Sequence, residues 1–339
     1  MRRRLCLSTL LSTLVLGLPA LAVVNTPIPA SLPNHSFESS EIYDMHRASL
    51  SPHISHYLRA AEKAPTNLLA LYHVGVGYFD LAKNAQNPVQ RKILLELAQV
   101  RFERIQSLNP TFIEAYFKLG KIALMLGDFA TAESVYKTAL TIEPDNAALT
   151  YNLAEVLDEQ NRLPEAIILY EKAIQLNPNF TFAHNNLGLL YEKQGRLDQA
   201  EHHYQKALAI DPTYNFARLN LGTLYLEQSR YPEAEALFQQ ALKQSPENPW
   251  AHFYLGHVWF RTNQLNQALA AYQKAIQLNP QYPAPYYCLA LTLTRLQRVE
   301  EAFAAGAQYM AIDPTGAHVE EVKALIQQLH YQKAESAEP

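Results

Sequence analysis

The sequence predicts an all-α protein, a solenoid of antiparallel helix pairs, and three observations carry that reading. Proline recurs at 110, 144, 178, 212, 246, 280 and 314, a spacing of 34 without a slip. Because proline in a helix interior costs about 3 kcal/mol, these residues mark breaks between helices. Counted from Thr181 as position 1, position 8 is Gly or Ala in six successive repeats (Gly120, Ala154, Gly188, Gly222, Gly256, Ala290), and position 20 is always Ala (Ala132, Ala166, Ala200, Ala234, Ala268, Ala302). Position 24 is aromatic in five of them: Tyr136, Tyr170, Tyr204, Phe238 and Tyr272. Small residues let paired helices approach, and the ring fills the space beyond. A net charge of -4 and a pI near 6.3 offer no basic stripe, so nucleic acid is not an expected partner.

The N-terminus carries an address. Arg2, Arg3 and Arg4 precede an apolar run from Leu5 to about Leu18, and Ala20-Leu21-Ala22 follows. That is the order of a secretory signal peptide over residues 1–22, cleaved after Ala22. The alternative is an uncleaved anchor over residues 5–24, which associates the chain with a membrane. Either reading places the repeats outside the cytoplasm, periplasmic or secreted. Cys6 leaves with the signal, so Cys288 stands alone, within an apolar helix, and is expected to be packed rather than reactive. Residues 23–50, with Pro27, Pro29 and Pro33 and no sustained periodicity, read as a flexible linker.

The solenoid spans 51–331. Residues 51–65 supply a half-repeat in which Tyr57, Ala60 and Pro65 take positions 24, 27 and 32. The first full repeat, 66–110, carries an insertion of 11 residues, close to three helical turns, and is expected to form a longer hairpin. Six repeats of 34 then run to Pro314. Pro164 and Pro232 stand where second helices start, the helical position that tolerates proline. Gln244 departs from the apolar pattern at position 30, and Gly306 and Tyr309 depart at positions 24 and 27 of the last repeat. Those two suit packing against a capping helix over 317–331, beyond which 332–339 is expected to be a disordered tail.

This pattern, in fixed register over roughly residues 51 to 330, strongly resembles the tetratricopeptide repeat family. The resemblance implies a right-handed superhelix with capping helices, its concave surface lined by the first helix of each repeat. It implies a protein-binding scaffold rather than an enzyme.

Placed on a helical wheel, positions 4, 7, 8 and 11 of the first helix pack, while 2, 6, 9 and 13 face open space. Position 6 is Asn152, Asn186 and Asn220 in three successive repeats, and a carboxamide both donates to and accepts from a peptide backbone. In family members such ladders hold extended peptides, yet Asn here is also common as a structural residue, so both readings stand. Position 2 is Phe182, Phe216 and Trp250, with Tyr254, Phe260 and Tyr287 adding aromatic surface nearby. These form either a docking strip or packing onto the preceding repeat. Charge on this face changes from Lys118 and Lys121 through Glu155, Asp158 and Glu159 to Arg261 and Arg295. The family's clamp for a terminal carboxylate is not expected, because Glu155 and Glu159 would repel an anionic end.

Catalytic and metal constellations are not expected, nor is a cofactor. His202 and His203 are consecutive and diverge on a helix, His184 and His252 occupy the packing position 4, and His257 stands alone on the open face. The expected function is an exported scaffold that binds a protein or peptide segment in its concave groove, supporting assembly of an envelope, secretion or membrane complex. The alternative is a glycan- or lipid-binding component of polysaccharide export or cell-surface maintenance.

Overall fold

The computed structural model describes residues 52–337, and among them every regular element is a helix. The signal segment, the linker 23–50 and the alternative anchor lie outside the described residues. The helices form two compact units, 52–183 and 184–337. The N-terminal unit holds α1 (Pro52–Lys63), α2 (Leu68–Asn84), α3 (Pro88–Leu108), α4 (Ile113–Met125), α5 (Phe129–Ile142), α6 (Ala147–Glu159) and α7 (Leu163–Leu176). The division falls within α8 (Thr181–Lys193). The C-terminal unit continues with α9 (Leu197–Ile210), α10 (Asn215–Glu227), α11 (Tyr231–Gln244), α12 (Pro249–Arg261), α13 (Leu265–Leu278), α14 (Pro283–Arg295), α15 (Val299–Ile312) and α16 (Val319–Ala337). Within each unit, consecutive helices pack as antiparallel pairs, and first helices of successive repeats also touch: α4 on α6, α10 on α12 and α12 on α14.

Each periodic proline follows a helix C-cap, as in Asn109-Pro110, Asp211-Pro212 and Asn279-Pro280, where it cannot extend the helix. Its carbonyl is then held by the next repeat. Tyr116 Oη donates to the Pro110 carbonyl at 2.9 Å, His252 Nε2 lies 2.9 Å from that of Pro246, and Tyr286 Oη donates to Pro280 at 3.2 Å. In the C-terminal unit the buried Arg218 does the same for Pro212, and Gln244, which accepts from Arg218 at 2.8 Å, also donates to Pro212 at 3.1 Å. The polar residue at position 30 therefore completes a hydrogen-bond network where other repeats are apolar.

The seam inside each repeat is a ring on a glycine. A Cβ built on Gly188 would come within 2.7 Å of the Tyr204 ring, and one on Gly256 within 2.8 Å of Tyr272. Tyr204, Phe238 and Tyr272 are fully buried, as are Ala200, Ala234 and Ala268 at position 20. Between the two helices of a repeat, position 15 is left-handed in each of six repeats: Gly127, Asn161, Gly195, Ser229, Asn263 and Gln297, at φ between 58° and 75°. The amide after it reaches back to the carbonyl five residues earlier, for example Arg230 N to Tyr225 O at 2.8 Å, which closes the helix with a Schellman motif. The same arginine position ties helices together at the surface. Arg162 meets Glu165 at 2.6 Å and Glu133 at 2.8 Å, and Arg230 meets Glu233 at 3.1 Å and Glu201 at 2.9 Å.

The insertion in the first repeat is taken up as helix. α2 and α3 have 17 and 21 residues, against 13 and 14 in α4 and α5. At the other end α16 runs to Ala337, past the expected end at 331, since nothing in Tyr331 to Ala337 breaks a helix. It closes the last repeat: Val322 is buried against Tyr309, and a Cβ on Gly306 would meet Val322 at 3.1 Å.

Candidate functional site

The open face divides into residues that stay exposed and residues that do not. At position 2, Phe182 is 51% exposed, Phe216 53% and Trp250 37%. Phe182, in the N-terminal unit, meets the edge of Phe180 at 6.4 Å, and Phe216 in the C-terminal unit lies 5.6 Å from Tyr214. Water reaches each of them.

Positions 6 and 9 correct the helical-wheel expectation. Asn152, Asn220 and Tyr254 are buried, Asn186 is half-buried, and Thr223 and Cys288 are buried as well. The reason is the approach of successive first helices, which lays the side chain of one repeat on the next. Asn220 Nδ2 accordingly donates to Asn185 Oδ1 at 2.9 Å, and Asn185 Nδ2 donates to Asn186 Oδ1 at 3.1 Å, so these amides bond one another within the C-terminal unit. Tyr254 stacks on Phe238 at 5.5 Å with an interplanar angle of 19°, a wall residue rather than exposed surface. Tyr287 is engaged by the C-terminal segment. Its hydroxyl donates to Glu321 at 2.6 Å and its ring stacks on His318 at 4.2 Å.

The charges on this face are mostly in use. Lys118 lies over the Phe79 ring at 4.9 Å, and burial lowers its ammonium pKa. Arg295 covers Phe260 at 4.2 Å and Arg261 lies 5.8 Å from the Tyr231 ring. Glu155 accepts from Tyr151 Oη at 2.7 Å, yet burial still raises its carboxyl pKa.

In the C-terminal unit two further carboxyls are shifted by burial. Burial pushes the Glu192 carboxyl up to about 7, opposed by the Tyr204 hydroxyl that donates to it at 2.6 Å and reinforced by the charge of Glu227. Burial also raises Glu227. The hydroxyl of Tyr254 lies in the field of both, and its pKa is raised, first by burial and then by these two charges. Neither glutamate forms an ion pair among the described residues. Sequence reading passed over this group. Its signal is that position 12 is Glu192 where the next two repeats have Leu226 and Phe260.

The histidines are structural in geometry. His184 Nδ1 lies 3.0 Å from His203 Nδ1, so one ring donates to the other, and burial, with His184 and His202 adding, pushes His203 down to about 4. Burial and Arg261 likewise hold His257 down to about 4. Burial drives the Cys288 thiol up to about 12, leaving it a packing residue. Among the described residues no group of three or more His, Cys, Asp or Glu is placed to hold a metal ion, and no helix is long and apolar enough to cross a membrane.

Stacked helical hairpins with position-specific exposed aromatics define a repeat scaffold, a protein-interaction fold. Tetratricopeptide repeat models match residues 123–190, 181–247, 219–283 and 271–304, and the chain belongs to that family. It is 24% identical over 147 residues to the tetratricopeptide repeat and J domain-containing co-chaperone DNJ1 of Fusarium oxysporum f. sp. lycopersici, a match covering 41% of this chain and 26% of that protein. The chain thus spans about a quarter of that curated relative. Among solved structures it is similar to the APC/C hetero-tetramer Cut9–Hcn1 (TM-score 0.61, 18% identity, 81% of this chain and 52% of that one). It is also similar to PilW, a type IV pilus biogenesis factor (TM-score 0.57, 23% identity, 62% and 97%). At these identities the structures share the fold.

Proposed function

We propose that the chain is an exported scaffold that holds a segment of a partner polypeptide on the open face of its first helices, with Phe216 and Trp250 as anchors in the C-terminal unit and Phe182 presenting the same position in the N-terminal unit. The observation that supports it is the exposure of large aromatic rings at one register, 51%, 53% and 37%, in a fold whose other rings at positions 6 and 24 are buried. Exposed aromatics serve as anchors because they desolvate a large area with few rotamers to fix. Asn152, Asn186 and Asn220 act behind them, setting the spacing of the first helices through amide pairs such as Asn220 to Asn185. Export, and with it a role in assembling an envelope, secretion or membrane complex, is supported by the order of charges, apolar run and small residues over 1–22.

A photo-crosslinking residue placed at 216 and 250 in cells is expected to capture one defined protein, while the same group at the exposed Lys206 on α9 captures none. Capture of glycan or lipid in place of protein establishes the carbohydrate or lipid reading. Equal capture from all three positions sinks both. Mass spectrometry of the purified mature chain is expected to begin at Val23, and a chain still carrying residues 5–22 replaces cleavage with anchoring.

A further inference from the structure

One cluster of charges on the open face of the N-terminal unit lacks counter-ions. The ammonium groups of Lys83 and Lys118 lie 5.8 and 4.9 Å from the centroid of one ring, Phe79, and Lys121 stands a turn beyond Lys118 on α4. Lys83 has Asp80 at 3.5 Å, whereas Lys118 and Lys121 form no ion pair among the described residues. Lys118 is half-buried besides: burial lowers its pKa, Asp80 opposes, and the like charges of Lys83 and Lys121 add to the lowering. Glu155, the acid in the field of Lys121, is itself driven toward its neutral form by burial. Cations gathered in this way, one of them desolvated, are relieved by an anion that bridges them.

The course of the chain brings one anion to this place. A Cβ on Gly77 of α2 would lie 2.7 Å from Ile54 of α1, and the Tyr57 ring stacks on His73 at 4.2 Å. These two pairs make α1 antiparallel to α2 and set Pro52, the start of α1, level with Phe79 and round the helix from it by one helix diameter, about 10 Å. The chain therefore enters α1 beside the cluster. Upstream of that point residues 37–45, FESSEIYDM, hold Glu38, Glu41 and Asp44 with no basic residue, while residues 23–36 hold no acid at all. Met45 stands seven residues before Pro52, a reach of up to about 23 Å. That is enough to round α2. Cleavage after Ala22 and retention of the anchor both leave the acidic segment attached.

We infer that the Lys83, Lys118 and Lys121 cluster is the docking site of the chain's own acidic segment, residues 37–45, held through Glu38, Glu41 and Asp44. Ion pairs at a surface are individually weak, but attachment to α1 makes the encounter intramolecular and raises the effective concentration of the segment. A partner that enters the open face from this end has to displace it.

The test puts a photo-crosslinking residue in place of Tyr43 in the full exported chain and maps the products by mass spectrometry. The expected product is an intrachain link from position 43 to α2 or α4, close to Phe79 or Lys118. The variant Lys83→Gln, Lys118→Gln, Lys121→Gln is expected to reduce its yield about tenfold. So is Glu38→Gln, Glu41→Gln, Asp44→Asn, which alters no residue of the helices. The charge-matched variant Lys137→Gln, Lys206→Gln, Lys243→Gln, changed at exposed lysines elsewhere, is expected to retain the link. Equal losses in both lysine variants reduce the effect to net charge and overturn the inference. Absence of an intrachain link, or links confined to other helices, overturns it too. In a mixture of light and heavy isotope-labelled chains, links only between chains give the site to a second copy and overturn docking within one chain. A crosslinker at position 121 that captures a separate protein, with no link from 43, gives the cluster to a partner's acids instead. Capture from positions 216 and 250 involves the other unit. Its loss with the link from 43 intact sinks the partner-docking reading alone, and loss of the link with capture intact sinks this inference alone.

Discussion

The two sides of one first helix obey different rules. The side that meets the second helix of its repeat is the same in five successive repeats: a small residue at position 8, an alanine at 20 and a buried ring at 24, from Gly120 with Tyr136 to Gly256 with Tyr272. The other side varies along the array. Position 6 passes from Lys118 through three asparagines to Tyr254 and Cys288, and position 12 from Leu124 through Asp158 and Glu192 to Phe260. Repetition marks where every repeat faces the same packing problem, and variation marks where each repeat meets something different. The varied side is also where the fold tolerates desolvated carboxyls, at Glu192 and Glu227.

If that contrast is right, substitutions on the two sides have opposite signs. The largest effect is expected at the uniform seam. Phe238→Ala empties the space beneath Gly222 and is expected to cost about 3–5 kcal/mol in urea-induced unfolding. On the varied side, Glu192→Gln is expected to stabilise the free protein by about 1–2 kcal/mol at pH 8. The sign follows from a folded-state pKa of about 7, raised by burial above the ordinary glutamate value of 4.5. The folded state binds more protons across that window, so the wild-type chain loses stability as pH rises through it, and the variant does not. Below pH 4.5 the two melt alike, and a stabilisation that persists there would locate the effect elsewhere. Gly195→Ala is expected to cost about 1 kcal/mol, because position 15 is left-handed at φ 74°. The smallest change is expected for Arg230→Gln, which removes exposed pairs to Glu233 and Glu201, and raising the salt should shrink it further.

What the residues disclosed on their own was the uniform side. Proline at position 32, the small residues at 8 and 20 and the ring at 24 are local in sequence and recur, so the hairpins and their seams were legible. Position 15 was not, because only Gly127 and Gly195 carry the glycine that signals a left-handed residue, while Asn161, Ser229, Asn263 and Gln297 adopt it without one. The varied side was half legible. Exposure at position 2 agrees with the helical wheel, but a wheel treats a helix as isolated, and the contact of α10 with α12 buries Asn220 and Tyr254. Tyr287 was obscured for the same reason, since its partners Glu321 and His318 lie more than 30 residues away. Desolvation of Glu192 likewise depends on tertiary packing, and its trace in the sequence is slight, since position 12 is also acidic at Asp158 in the repeat before.

The central claim is that the exposed aromatics serve recognition and not the fold, and the double variant Phe216→Ala, Trp250→Ala tests it most directly. Thermal unfolding and crosslinked capture from the adjacent Asn215 are measured on the same protein. The expected result is a stability change within about 0.5 kcal/mol together with loss of the captured partner. A large fall in melting temperature with capture intact would contradict the claim and return both rings to the packing of the repeats.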